Sequence, residues 1–295
     1  MFSTNKSFVF ILHTLILVAF SAYGQLGPNE LNDRQEYGYA VALDMFKATH
    51  QINTLTYRMK KTERIEGKMV SQESVVKLQR NPYRVYTMQV SPKKGLEVLY
   101  PENLGDEHAL INPNGFPWVN VRLDPHGSIM RKKQHHTILD AGYAHVVSIL
   151  ETLFAKYGKE TPNMITASEP VKWTGVDCWK IVFENPQFEF IDYTVKEGET
   201  IHSLARERKI SEYMVLENNK ECSDFDDVNA GQVIRIPNDY SPKMELIIEQ
   251  KRNLPLLMKI YDHKGIFELY EFGELVVNPK IPEEEFSKDF EDYGF

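Results

Sequence analysis

Strand-like segments lie on both sides of residues 192–238, and this arrangement constrains the fold more than any other feature. Before the interruption, apolar and polar residues alternate with a period of two in LTYRMKKTERI and in KWTGVDCWKIVFE. After it, MELIIEQ, LPLLMKIYDHKG and IFELYEF have the same character. Because exposed loops tolerate insertions best, the pattern predicts a compact module inserted into a loop of a larger β domain.

Two segments of the larger domain have a helical period instead of an alternating one. They are ELNDRQEYGYAVALDMFKATHQI near the N-terminus and LDAGYAHVVSILETLFAKY at about residues 139–157. Short turns such as EGK and SPKKG join the strands between them, which favours an antiparallel meander. The sequence therefore predicts an α+β fold, in which a curved antiparallel sheet carries two packed helices.

Charge and composition limit the possible partners. The chain has 295 residues, of which 42% are hydrophobic and 26% charged, as in ordinary globular proteins. Its formal charge of −8 argues against nucleic acid, because phosphate binding needs a basic surface. No nucleic-acid partner is expected.

The N-terminus predicts export. Lys6 precedes the apolar run FVFILHTLILVAF, and the small residues Ala22 and Gly24 follow it. This order is typical of a secretory signal peptide over residues 1–24, cleaved after Gly24. An uncleaved membrane anchor is the alternative, although the run is short for a spanning helix. We expect no transmembrane segment after cleavage.

The segment 192–238 has a β-α-α-β pattern of its own. Tyr193–Val195 begin a strand, Gly198 permits a sharp turn, and Thr200 and Ser211 can each cap a helix. QVIRIP then forms a second strand that can pair with the first.

These residues resemble the LysM family. The shared motifs are YTV, the G-E-T turn, the helical stripe Ile201–Ala205, an asparagine at 218 or 219, and GQVIRIP. LysM modules bind glycans that contain N-acetylglucosamine, so the resemblance implies a groove between the first turn and the loop before the second strand. The implied glycan-binding residues are Gly198, Glu199, Thr200, Ile201, Val228, Asn229 and Ala230. The second loop is longer than usual and rich in acids, which leaves open that the module keeps only its fold.

The surrounding domain resembles the LolA/LolB-like half-barrels that carry lipoproteins. Its tail, LPLLMKIYDHKGIFELYEFGELVVNPKIPEEEF, resembles more closely a bacterial family of exported proteins of unassigned function. The resemblance implies a discontinuous half-barrel over 25–191 and 239–295, a LysM domain over 192–238, and location in the periplasm or cell envelope of a diderm bacterium. A half-barrel implies an apolar cavity, although a simple packed core is the alternative. Candidate lining residues are Leu55, Tyr57, Met59, Tyr86, Met88, Leu246 and Ile248.

Catalytic and metal motifs are missing from the sequence. It contains no G-x-S-x-G, no H-E-x-x-H and no phosphate-binding loop. His126, His135, His136 and His145 lie close in sequence, but their spacing favours surface or packing roles over metal ligation. Cys178 and Cys222 could pair in an oxidising compartment or stay as buried thiols. We expect no cofactor, no metal and no catalytic residues.

The expected function is that of an exported, non-enzymatic cell-envelope protein. Its LysM module would bind peptidoglycan or a related glycan, and its half-barrel would hold an apolar or lipid ligand. One alternative is a carrier or chaperone for lipids or lipoproteins whose LysM module no longer binds. Another is a peptidoglycan hydrolase with an unrecognised site.

Overall fold

The computed structural model describes residues 28–295, so the predicted signal peptide at 1–24 lies outside the described residues. The helices are α1 Pro28–His50, α2 Ser128–Arg131, α3 Ala144–Tyr157, α4 Ile201–Arg208 and α5 Glu212–Asn218. The strands are β1 Thr54–Ile65, β2 Lys68–Arg80, β3 Tyr83–Ser91, β4 Glu97–Tyr100, β5 Ala109–Asn112, β6 Val121–Leu123, β7 Ile165–Trp173, β8 Val176–Glu184, β9 Phe190–Thr194, β10 Val233–Pro237, β11 Lys243–Glu249, β12 Pro255–Asp262 and β13 Gly265–Val277. Within this range, no helix is both long and apolar enough to cross a membrane.

One curved antiparallel sheet forms the larger domain. Its 11 strands follow the order β6-β5-β4-β3-β2-β1-β13-β12-β11-β8-β7. Strands β8 and β11 are neighbours, with Glu184 paired to Lys243. The chain between them therefore leaves the sheet and returns to it at almost the same place, as the sequence pattern predicts for an inserted module. The limits placed at 191/192 and 238/239 stay predictions.

Two helices cover one face of the sheet. In α1, Ala42 and Met45 are fully buried, and in α3 Leu150 is fully buried, so both helices contribute to one core. The rings of Phe46 and Phe154 meet edge to face at 5.1 Å. The predicted α+β class, with a curved antiparallel sheet and two packed helices, is confirmed.

The acidic C-terminal tail covers the opposite face of the sheet. Tyr293 stacks on Tyr86 with ring centroids 3.7 Å apart, and Phe286 is buried beneath the guanidinium of Arg84. Glu283 pairs with the same Arg84. Lys77 on β2 pairs with Glu285, so cations on β2 and β3 contact the acidic tail and aromatic residues attach it to the sheet, while the Glu283 side chain stays 80% exposed.

The two cysteines are free thiols, and each is buried. Cys178 packs with Ile247 and Leu257 on the large sheet, whereas Cys222 belongs to the core of the inserted module. They lie in different parts of the structure and do not pair with each other.

Candidate functional site

The inserted module folds as the sequence predicts. Strands β9 and β10 pair antiparallel, with Tyr193 opposite Ile234, and α4 and α5 lie between them in the chain. Thr200 caps α4 by accepting a hydrogen bond from the amide of Ser203 at 3.1 Å. Gly198 has φ of 76°, a left-handed conformation that glycine adopts without strain.

The predicted glycan-binding residues divide into exposed and buried sets. Gly198, Asn229 and Ala230 are exposed, and Thr200 and Val228 are half-buried. These five remain candidates for contact with a glycan.

Ile201 differs from these five because its side chain is buried, and its assignment as a glycan-binding residue stays a prediction. The side chain is 0% exposed because it starts the buried stripe that continues to Leu204 and Ala205. Its amide donates to the carbonyl of Phe225 at 2.9 Å, so this residue ties the first turn to the acidic loop.

Glu199 is also engaged inside the module. Its carboxylate accepts hydrogen bonds from the amide of Lys196 at 2.7 Å and from the hydroxyl of Tyr193 at 2.9 Å. The hydrogen bond from the Lys196 amide, together with the bond from the Tyr193 hydroxyl and the positive charge of Lys196, holds the pKa of Glu199 below its usual range. This carboxylate stabilises the turn, which limits what it can offer a ligand.

The module is docked on the larger domain through buried ionic contacts. Arg206 on α4 places Nη1 2.7 Å from Asp140 Oδ1, and Arg64 on β1 lies 3.4 Å from Glu217 on α5. The guanidinium of Arg131 lies 3.6 Å from the ring centroid of Phe225. Sequence reasoning missed this interface because its partners are far apart in the chain and follow no motif.

A cavity of about 390 Å³ opens between the curved sheet and the segment 125–146. This volume lies within the range of small-molecule sites. Tyr57 and Met59 line it, as predicted. Its other apolar lining residues are Val76, Pro92, Leu96, Val98, Pro125, Met130, Ile138, Ala141, Val146, Met258 and Phe272.

The other predicted lining residues lie elsewhere. On β3, Thr87 and Gln89 face the cavity, so alternation turns Tyr86 and Met88 to the opposite face, where they pack with the C-terminal tail. Leu246 and Ile248 are fully buried in the core. Leu55 borders a smaller cavity of about 230 Å³. The strand period was predictable from the sequence, but which face of β3 lines the cavity was not.

A buried network of ionisable side chains forms the polar end of the large cavity. His135 Nδ1 lies 2.9 Å from Glu268 Oε1, and the hydroxyl of Tyr240 lies 3.1 Å from both Glu268 Oε1 and His136 Nε2. Two positions after Glu268 on β13, the hydroxyl of Tyr270 donates to Glu63 on the neighbouring strand β1 at 2.9 Å.

The electrostatics of this network follow from burial and charge pairing. Burial favours neutral His136, but the adjacent carboxylate of Glu268 outweighs it and raises the pKa of His136 to about 9. The same pairing overcomes the burial of Glu268 and holds its pKa well below the usual range. By contrast, burial dominates at His145 and lowers its pKa to about 4. At neutral pH the network contains a charged His136 beside an uncharged His145.

His136, Asp140 and His145 are the residues that could hold a metal ion, because their donor atoms all lie within 4.8 Å of one another. Asp140 Oδ2 already accepts from the amide of Thr137 at 3.0 Å. Its Oδ1 makes a close ionic contact with Arg206, although the geometry is not that of a directed hydrogen bond. A metal ion would have to displace this guanidinium, and the absence of a metal stays a prediction.

The structure combines a sheet-walled cavity in the larger domain with an inserted β-α-α-β module. Residues 193–237 match the LysM domain, and residues 52–197 match a protein family of unknown function, DUF1571. The chain therefore carries a LysM domain, and its larger domain resembles that family. No curated protein matches the sequence.

Solved structures with a similar chain course share little sequence with this protein. Lipoprotein LppX from Mycobacterium tuberculosis has 11% identity and a TM-score of 0.38, with 86% of this chain and 99% of that chain covered. A putative outer membrane lipoprotein-sorting protein domain from Vibrio parahaemolyticus has 11% identity and a TM-score of 0.33, covering 86% and 98%. A LolA superfamily protein from Nitrosomonas europaea has 9% identity and a TM-score of 0.33, also covering 86% and 98%. Likeness at this level transfers no function.

Proposed function

We propose that this protein is a non-enzymatic component of the bacterial cell envelope that binds peptidoglycan or a related N-acetylglucosamine glycan. The observation that carries the proposal is the match of residues 193–237 to the LysM domain, together with exposed residues in both of the loops that the resemblance implicates. Gly198 exposes its backbone on one side, and Asn229 and Ala230 are exposed on the other. Backbone amides and carbonyls of this kind can bond an acetamide group, and half-buried Val228 can pack on its methyl.

Cosedimentation with purified peptidoglycan sacculi tests glycan binding. The chain from Gln25 onward should pellet with sacculi, and the double variant Asn229→Ala/Ala230→Asp should stay in the supernatant. The matched control is Lys220→Ala/Glu221→Ala, another adjacent exposed pair of the same module. If wild type does not pellet, or if both variants pellet alike, the module does not bind glycan through this edge.

The cavity supports a second part of the proposal, that the larger domain holds an apolar ligand with a polar group. The apolar walls suit a hydrocarbon chain, and the polar end offers His136 and Lys61 to a polar head. A dansyl fatty acid should gain fluorescence on binding, and Met258→Trp should reduce this gain by filling the cavity. Organic extraction followed by mass spectrometry should recover a copurified lipid. A preparation without lipid that also ignores the probe would contradict this part.

A carrier with a non-binding module is the second candidate function. It is favoured by the internal bonds of Glu199 and by the burial of Ile201, which remove two of the implied contacts. Lipid binding without cosedimentation would select this candidate. The same sacculus incubation also tests the hydrolase alternative, because release of muropeptides would reveal a catalytic site.

A further inference from the structure

Large apolar side chains project into solvent from one corner of the sheet. Between β5 and β6, Phe116 is 84% exposed, Trp118 80% and Val119 60%. Ile129, which follows β6, is 70% exposed. Adjacent exposed residues of this size are unusual on a protein surface and mark an interaction site. We call Phe116, Trp118 and Val119, which share one loop, the apolar rim.

The apolar rim stands at the mouth of the large cavity. The side chain of Asn114 donates to the carbonyl of Lys94 at 3.0 Å, which attaches the loop to the hairpin between β3 and β4. The approach is so close that a Cβ on Gly95 would clash with Asn114 Nδ2. In that hairpin Pro92 is exposed and also lines the cavity, so the cavity opens here. Next to Ile129, Met130 lines the cavity as well.

Unpaired cations flank the apolar rim. Lys93 and Lys94 are exposed in the hairpin to which Asn114 attaches the loop, and within residues 28–295 neither lies within 4.0 Å of a carboxylate. The acidic tail also reaches this end of β4 and β5, where the amide of Gly294 donates to Glu97 at 2.8 Å. Lys93 and Lys94 therefore supply local positive charge on a chain that is acidic as a whole.

We propose that the apolar rim binds the surface of an anionic lipid bilayer. Aromatic side chains such as Trp118 prefer the boundary between headgroups and acyl chains. Each lysine near an anionic surface adds attraction that falls off within a Debye length. Protruding loop tips with flanking lysines fit a bilayer surface, whereas a docked protein would require a wider complementary face. The inference goes beyond the proposed function and does not depend on glycan binding.

Bilayer docking would also place the cavity mouth against lipid. Pro92 and Met130 would then lie between the headgroups and the apolar walls. A hydrocarbon chain could pass into the cavity without crossing water. This last consequence rests on the proposed apolar ligand, whereas bilayer binding itself does not.

Flotation with lipid vesicles tests the proposal. The chain from Gln25 onward should float with vesicles of phosphatidylglycerol and phosphatidylethanolamine and much less with phosphatidylcholine alone. Replacing two large inserted side chains in Phe116→Ser/Trp118→Ser should weaken binding by about tenfold or more. Met69→Ser/Val276→Ser removes exposed apolar residues from other strands and should bind as wild type does.

The lysines give an independent test of the same surface. Removing two charges in Lys93→Gln/Lys94→Gln should weaken binding to anionic vesicles by about 25-fold, at about fivefold for each lysine. Binding to phosphatidylcholine should not change, and high salt should abolish the difference between the two proteins.

Three results would overturn the proposal. One is no flotation of wild type, and another is equal flotation of the Phe116→Ser/Trp118→Ser variant and its control. The third is a wild-type protein that binds no vesicles but self-associates in sedimentation velocity, with the Phe116→Ser/Trp118→Ser change abolishing this association. The rim would then contact a second copy of the chain. Thermal unfolding of each variant verifies that it is folded.

Discussion

Replacing Glu268 with glutamine should destabilise the protein and remove a pH dependence that its pair with His136 creates. Glu268 is fully buried, and its carboxylate lies 3.4 Å from His136 Nε2. Substitution leaves a cationic imidazole without its counter-ion. Breaking a buried pair by removing one partner costs about 3–5 kcal/mol.

The pH dependence has a definite sign. The pKa of His136 rises from an ordinary 6.5 to about 9 on folding, so the folded state binds its proton more tightly than the unfolded state. The resulting stability is fully present below pH 6.5 and is lost as pH rises through about 9. The difference corresponds to about 3 kcal/mol, at 1.36 kcal/mol for each pH unit.

Urea unfolding between pH 6 and 10 measures both effects. Wild type should lose about 3 kcal/mol of unfolding free energy across this interval. Glu268→Gln should have a lower unfolding free energy at pH 6, and that free energy should depend less on pH. Glu245→Gln is the control, because its pair with Lys259 at 3.0 Å is partly exposed and its loss should cost about 1 kcal/mol or less. A Glu268→Gln protein with the wild-type pH profile would refute the reasoning.

Other residues give shorter tests. Ile201→Ala should cost about 2–5 kcal/mol by leaving a cavity in the module core, seen as faster hydrogen exchange in α4 and α5; unchanged exchange would contradict its burial. Calorimetric titration should show no zinc binding by wild type. Arg206→Gln should bind zinc, and a further His145→Ala change should remove that binding. Zinc binding by wild type would mean that Arg206 does not protect Asp140. Phe286→Ala should cost about 3–5 kcal/mol in urea unfolding, and a smaller loss would show that the tail is weakly attached.

Local features of the fold were predictable because they depend on neighbouring residues. Helix α4 begins after Thr200, whose capping role requires only Ser203 three positions later. The antiparallel pairing of β9 with β10 likewise follows from a short module with fixed turns. The cavity was predicted in kind, and Tyr57 and Met59 were placed on its wall, because alternation along a single strand is readable from the sequence.

The sequence by itself determined the strand and helix periods, the inserted module and its LysM motifs, since each is encoded over a few adjacent residues. Only the tertiary structure decided which face of β3 looks into the cavity and how the module docks through Arg206. It also gathered His135 and His136 with Glu268, which are separated by more than a hundred positions in the chain. The physical reason is that burial and charge pairing depend on distance in space, and chain spacing does not specify that distance once several strands and a docked module come together.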